Sequence, residues 1–243
     1  MPSSGRPAKI NRILLKLSGE SLARQGELGL DPEAIAKIAE QVRLVHLRGV
    51  QVAIVVGGGN FIRGANLARM GTNRSTADQM GMLATAINCL ALQDALERIA
   101  VPTRAASANE MKTVMEPYIR RRVIRHLEKN RIVLLAGGTG NPFFTTDTAA
   151  ALRAAELDVD LILKATKVDG VYTADPKRDR SATKIPALTF KQALDRDLQV
   201  MDRAAFALCM ENDVPILVFD VFVDGNLERA VRGEDIGTWV TAS

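Results

Sequence analysis

Two apolar runs constrain this chain more than any other feature. RILLKLSG (12–19) and VQVAIVVGGGN (50–60) each run through aliphatic residues and break off into small polar residues and glycine. Runs of that length bounded by turn residues read as buried strands. Between them, DPEAIAKIAEQVRLVHLRG (31–49) carries Asp31 as an N-cap and Pro32 at the first helical position. It sets Ile35, Ile38, Ala39, Val42 and Val45 on one face and stops at Gly49. Strand, helix, strand with both strands fully apolar is the unit of a parallel sheet covered on both faces.

The rest of the chain repeats the theme. Ser75–Ile99 reads as one long helix, with Met80, Leu83, Ala84, Ile87, Leu90 and Ala91 at the helical period and Met82, Ala86 and Leu92 apolar on the other sides. A helix apolar nearly all round is buried on more than one side, either in the core or against a second subunit. A short strand near Thr103–Ala106 follows, then a basic helix, the strand RIVLLAGG (131–138), and a helix TTDTAAALRAAEL that Thr146 or Asp147 can cap. Residues 157–176 read as a strand and a polar loop, and the stretch from ALTF through CMEND as helical in two pieces. VPILVFDV (214–221), GNLERAVRG and GTWVTAS read as strand, helix and closing strand. The order is βαβα throughout, with a seam near 164–175. Residues 1–11 read as a disordered lead-in to a single domain over 12–243.

Composition narrows the class. Of 243 residues, 47% are hydrophobic but only 4% aromatic, so the core is aliphatic and alanine-rich. No apolar run reaches membrane-spanning length, and the N-terminus lacks a signal-peptide core. Cys89 and Cys209 fall in apolar helical stretches, which fits thiols in a reducing cytoplasm. His46 and His126 stand apart without cysteine partners, so no metal site is expected. The net charge is +4, and its densest stretch, RRRVIRHLEKNR (120–131), reads as a solvated helix face with Val123, Ile124 and Leu127 inward. That makes nucleic acid an improbable partner.

The chemistry gathers at strand ends. LKLSGE, VVGGGNFIRG, LAGGTGNPFFTTD and KATKVDG all follow strands, and in a parallel sheet these carboxyl ends meet at one edge. Glycine lets backbone N–H groups approach an anion, so several such turns suggest a cradle for several phosphates. There is no Gly-Lys-Ser/Thr in the loop at 136–147, so the lysine must come from elsewhere. Lys16 and Lys164 each sit at the end of an apolar strand, where an unpaired charge would be costly. Arg63 follows a glycine turn and offers a planar fork.

LLKLSGE, VVGGGNFIRG, NRSTADQMGMLAT, GTGNPFFTTD and KATKVDGVYTADP, in that order, resemble the bacterial UMP kinases of the amino acid kinase family. The resemblance runs from Arg12 to about Thr241 and is weakest from Thr103 to Lys129. It implies a three-layer αβα sandwich around a largely parallel sheet, with 12–163 serving mainly the acceptor and 164–243 mainly ATP. It implies transfer of the γ-phosphoryl of ATP to UMP with Mg2+, in cytoplasmic homohexamers that GTP activates and UTP inhibits. RQGELG (24–29) lies where the family carries a loop tied to GTP. Carried onto this chain, Lys16, Arg63, Asp147 and Lys164 are catalytic. ATP takes Lys16, Leu17, Ser18, Gly19, Gly59, Arg63, Thr166, Tyr172 and Asp175. UMP takes Gly58, Asp78, Thr139, Gly140, Asn141, Pro142, Phe143, Phe144, Thr145 and Thr146. Asp78 would accept from the ribose hydroxyls, one of the two phenylalanines would line the uracil site while the other packs inward, and Asp147 would cap its helix or orient the lysines. Two other readings compete: a kinase of a carboxylate or carbamate in the same family, and a nucleotide-sensing regulatory or nucleic-acid-binding protein with a degenerate site.

Overall fold

The computed structural model describes residues 5–62, 71–174, 176, 178–179, 181–198 and 200–242. The chain opens with β1 (Arg12–Leu17), α1 (Pro32–Leu47) and β2 (Gln51–Val56), as the sequence predicts. There follow α2 (Arg74–Arg98), β3 (Thr103–Ser107), β4 (Glu116–Pro117), α3 (Arg120–Glu128), β5 (Ile132–Ala136) and α4 (Thr146–Glu156). The last third holds β6 (Leu161–Thr166), β7 (Val171–Tyr172), β8 (Lys184–Ile185), β9 (Ala187–Thr189), α5 (Phe190–Asp195), α6 (Arg203–Glu211), β10 (Ile216–Asp220), α7 (Asn226–Val231) and β11 (Thr238–Thr241).

Nine strands form one sheet in the order β4-β3-β5-β2-β1-β6-β10-β11-β9. β1 lies between β2 and β6, parallel to both. Strand alternation divides its side chains: Ile13, Leu15 and Leu17 join α1, α2 and α7 in one core, while Leu14 joins α3, α4, α5 and α6 in the other. This is the expected αβα sandwich. The two-sided burial explains why β1 and β2 read as unbroken apolar runs.

Four local expectations are corrected. Strand order is not βαβα to the end: β11 runs antiparallel to β10, and β7 and β8 form a small antiparallel pair inside the polar loop. Ala187–Thr189 is a strand rather than the start of a helix, because Leu188 pairs in register with Val240 and is buried. Thr189 then caps α5 in a reciprocal box with Gln192. The cap of α4 is Thr145, not Thr146 or Asp147; its hydroxyl accepts from the Asp147 and Thr148 amides. Finally, the helix Ser75–Ile99 faces inward with Met82, Ala86, Cys89, Leu92 and Leu96, while Met80, Leu83, Ile87 and Leu90 of the stripe read from its period are exposed. Small residues decide this. A Cβ on Gly58 would lie 2.6 Å from the Gly81 carbonyl and 2.8 Å from Ala84 Cβ, so the helix rests directly on the glycine turn after β2.

The basic helix behaves as expected: Val123 and Leu127 are buried and Arg120 pairs with Asp158 at 2.8 Å. Both cysteines are buried free thiols, and burial pushes each up to about 12. Ahead of β1, Arg6 binds Asp235 at 2.7 Å, with its guanidinium 4.8 Å over the Trp239 ring.

Candidate active site

Lys16 and Lys164 are register partners across the parallel pair β1–β6, so both side chains leave the sheet on the same face. That face is covered by α4, whose first turn brings Asp147 between them. Lys16 Nζ lies 2.8 Å from Asp147 Oδ1, and Lys164 Nζ lies 2.8 Å from Oδ2. The three side chains are only 13–17% exposed. Lys164 also donates to the Val200 carbonyl. The lysines at the ends of apolar strands are therefore paired, as the cost of burying a lone charge requires. Burial pushes the Asp147 carboxyl up, but Lys16 and Lys164 outweigh it and hold the group below the usual carboxylate range. Burial pulls the Lys164 ammonium down; Asp147 restores part of the shift, and the Lys16 charge adds to it.

Two groups of clefts flank this cluster, and the first turn of α4 divides them. On one side a cleft of about 400 Å³ is lined by Gly58 and Gly59, by Asp78, Gly81 and Thr85 of α2, and by Gly138, Thr139, Asn141, Phe144, Thr145 and Thr146. On the other side, Asp147 and Lys164 line a cavity of about 810 Å³ against α5 and α6. Lys164 also borders a neighbouring cleft of about 650 Å³ with Thr166, Gly170, Tyr172 and Arg178. Thr146 lines the first cleft and its neighbour Asp147 the second, so the lysines that Asp147 holds lie close to both and are suited to neutralising a phosphoryl group that passes between them.

Leu17 and Gly19 hold the turns together. The Leu17 carbonyl accepts from Gly57 N at 2.9 Å, and a Cβ on Gly19 would come within 2.5 Å of the Gly57 carbonyl. Ser18 leads into a single 3₁₀ turn, Gly19–Leu22. Gly59, expected with ATP, lines the same cleft as Gly58. Thr166 and Tyr172 fall in the Lys164 cleft, Tyr172 donating to Asp169 at 2.7 Å. Gly140, Pro142 and Phe143 are not among the lining residues of the Asp78 cleft. Arg63 and Asp175 lie outside the described residues.

Asp78 is already engaged. It takes the Arg74 guanidinium at 2.9 Å and the Phe143 amide at 2.8 Å. Phe143 has φ +71, a left-handed conformation rare for a bulky residue. One ring is expected to pack inward, but neither does: Phe143 and Phe144 are 67% and 52% exposed. Phe144 lines the cleft, and Phe143 lies under Arg74 at 5.9 Å.

Sequence reading missed the residues that support these loops. Asn60 and Asn88 exchange side-chain hydrogen bonds at 2.9 and 2.7 Å, while Asn60 also holds the Gly29 carbonyl and Asn88 the Gly57 carbonyl. Thr85 takes the Gly137 amide at 2.8 Å. Asp202 caps α6 through Ala205 N and accepts from the hydroxyls of Thr145 and Thr148, tying the start of α4 to the start of α6. Asn88 sits in the middle of an apolar helix, where a polar side chain needs a buried partner. That signal was available; the partner was not.

With this geometry in place, the class is defined. Residues 11–220 match the model of the amino acid kinase family. The chain belongs to that family and is a phosphotransferase. More particularly, it is similar to the UMP kinase of Bacillus anthracis, with 37% identity over 97% of each chain and a TM-score of 0.94. The UMP kinase of Ureaplasma parvum is 36% identical over 96% of this chain and 99% of its own, with a TM-score of 0.89. The uridylate kinase of Archaeoglobus fulgidus is 29% identical over 94% of this chain and 99% of its own, with a TM-score of 0.73. No helix among the described residues is long and apolar enough to cross a membrane.

Proposed function

We propose that the chain transfers the γ-phosphoryl of ATP to UMP, giving UDP for pyrimidine nucleotide synthesis in the cytoplasm. The observation that carries this reading is the Lys16–Asp147–Lys164 arrangement at the turn that separates the clefts. The relatives named UMP kinases support the choice of acceptor. UMP would occupy the cleft of Asp78 and Phe144, and ATP the side of Lys164, Thr166 and Tyr172.

The acceptor is already an ionised phosphate at neutral pH, so transfer needs no general base. It needs in-line positioning and neutralisation of charge on the moving group. Lys16 and Lys164 would leave part of their hold on Asp147 to meet the phosphoryl oxygens, and Asp147 keeps both ammonium groups aimed at that point. Among the described residues no three His, Cys, Asp or Glu side chains are grouped to hold a metal. Mg2+ would enter on the phosphates of ATP.

A coupled assay of ADP release with UMP, dUMP, CMP, AMP and acetylglutamate, with and without GTP, tests the reading. UMP should turn over fastest; preference for the carboxylate would overturn it. The exposed Met80, Leu83, Ile87 and Leu90 support a further part of the proposal, that α2 packs against its copy in a homo-oligomer of six chains. Light scattering that finds only monomer at micromolar concentration would remove that part.

A further inference from the structure

Arg153 is the most deeply buried lysine or arginine among the described residues, at 6% exposure. It lies on α4 six residues beyond Asp147 of the lysine–carboxylate cluster and lines none of the clefts around that cluster. Its guanidinium makes three contacts. Nη1 donates to Glu156 Oε2 at 2.7 Å, Nη2 donates to the Gly138 carbonyl at 3.3 Å, and the fork lies 3.7 Å over the Tyr118 ring. Tyr118 in turn donates to Glu156 at 2.5 Å. Burial, with the Glu156 carboxylate beside it, pushes the Tyr118 phenol up, so its hydroxyl stays a donor.

The Gly138 carbonyl is part of the glycine loop of the Asp78 cleft. In a trans peptide the carbonyl and the following N–H point in opposite directions. Drawing the Gly138 carbonyl toward Arg153 therefore turns the Thr139 N–H the other way. The next peptide upstream is set in the same manner: the Gly137 carbonyl accepts from Gly140 N at 2.8 Å, which turns the Gly138 N–H away from it. Gly137 N is already taken by Thr85. Neither the Gly138 nor the Thr139 amide has a hydrogen-bond partner within the described residues. Both residues line the cleft. Two adjacent free amides in a turn of positive-φ glycines make a concavity for an anion.

We propose that Arg153 is a positioning residue for the acceptor: from behind the loop it fixes the Gly138–Thr139 peptide so that the Thr139 amide is presented to an anionic oxygen of the acceptor nucleotide. The proposal rests on the UMP-kinase reading. Arg153 itself touches no substrate. Its charge acts through a peptide plane, and the Glu156–Tyr118 pair keeps the fork from rotating.

The test compares wild type with Arg153→Met and Arg153→Lys by titration calorimetry with UMP, by KM for UMP and ATP, and by the Thr139 amide resonance in ¹H–¹⁵N spectra. In wild type that resonance should shift on adding UMP. In Arg153→Met the shift should vanish and UMP should bind about tenfold more weakly or worse, the scale of one charge-assisted bond. KM for ATP should stay unchanged. Arg153→Lys keeps the charge but cannot serve both Glu156 and the carbonyl, so it should fall between the two. It carries the test if Arg153→Met does not fold. Folded variants that bind UMP like wild type, with the Thr139 shift intact, overturn the proposal alone. Equal losses toward UMP and ATP overturn it in favour of a general packing role. A wild type that does not bind UMP overturns the functional reading and this proposal with it.

Discussion

The two sides of α4's first turn are built differently. The lysine–carboxylate cluster stands on β1, β6 and α4, with its spacing set by strand register and its members 13–17% exposed. The glycine loop at 137–145 runs through three positive-φ glycines, carries two exposed phenylalanines, and is tied to the rest of the molecule by hydrogen bonds with Thr85, Asp78, Arg153 and Asp202. The difference teaches a division of labour. Under the proposed function, the groups that act on charge in the transition state are mounted on buried strands and a helix, and the groups that recognise the acceptor on a loop whose shape a few bonds set.

The sharpest way to break that division is Lys16→Met. It keeps the stem and removes the charge, so turnover should fall by about 100-fold or more while folding survives, the scale of losing one electrostatic donor. Near wild-type turnover in the ADP-release assay would show that the cluster is structural. Asp147→Asn should cost less, roughly ten- to a hundredfold in kcat, because it misdirects the ammonium groups rather than removing one. It should also change stability with a definite sign. Folding lowers the Asp147 pKa, so the ionised carboxylate stabilises the native state above the ordinary carboxylate value. That contribution is lost as the pH falls through the lowered value. The gap in Tm between wild type and Asp147→Asn should be open at neutral pH and close in strong acid; a gap constant with pH would place the effect in packing.

On the other side of the comparison, Asp78→Asn should raise KM for UMP, leave KM for ATP alone, and narrow the preference for UMP over dUMP. The expected loss in kcat/KM is about 1.5 kcal/mol, roughly tenfold. An effect on ATP alone would reverse the assignment of the clefts. The smallest effect should come from Phe143→Gly. The left-handed backbone at Phe143 costs about 1–2 kcal/mol for an L-residue, against about 0.5–1 kcal/mol of extra chain entropy for glycine. Thermal melts should therefore show Tm unchanged or slightly raised, with UMP affinity nearly kept. A marked loss of affinity would make the Phe143 ring part of the recognition surface after all.

The same division shows in what could be read from the sequence. Lys16 and Lys164 were legible because a lysine within RILLKL or LILK contradicts its surroundings and demands a partner. Asp147 was legible only as one of two roles; the choice rested on Thr145, which took the cap and left the carboxylate free. The inward face of α2 was illegible because that helix is apolar all round, and its orientation is decided by contact with Gly58, residues away in sequence. Ala187–Thr189 shows the same failure in a strand: its pairing with β11 is invisible to any local pattern. Arg153, Asn88 and Asp202 look like ordinary members of helices or their caps. Each acts on a backbone or hydroxyl group that only the fold brings near.

The position of β1 has one more consequence. It is bonded to a strand on either side and covered by helices on both faces, so its amides can meet solvent only when the sheet itself comes apart. In hydrogen–deuterium exchange, Leu14, Leu15 and Lys16 should be among the last to label, at the rate of whole-molecule unfolding. Gly138 and Thr139 should label early, through local fluctuation. The backbone that carries Lys16 should thus hold its place until the sheet itself unfolds.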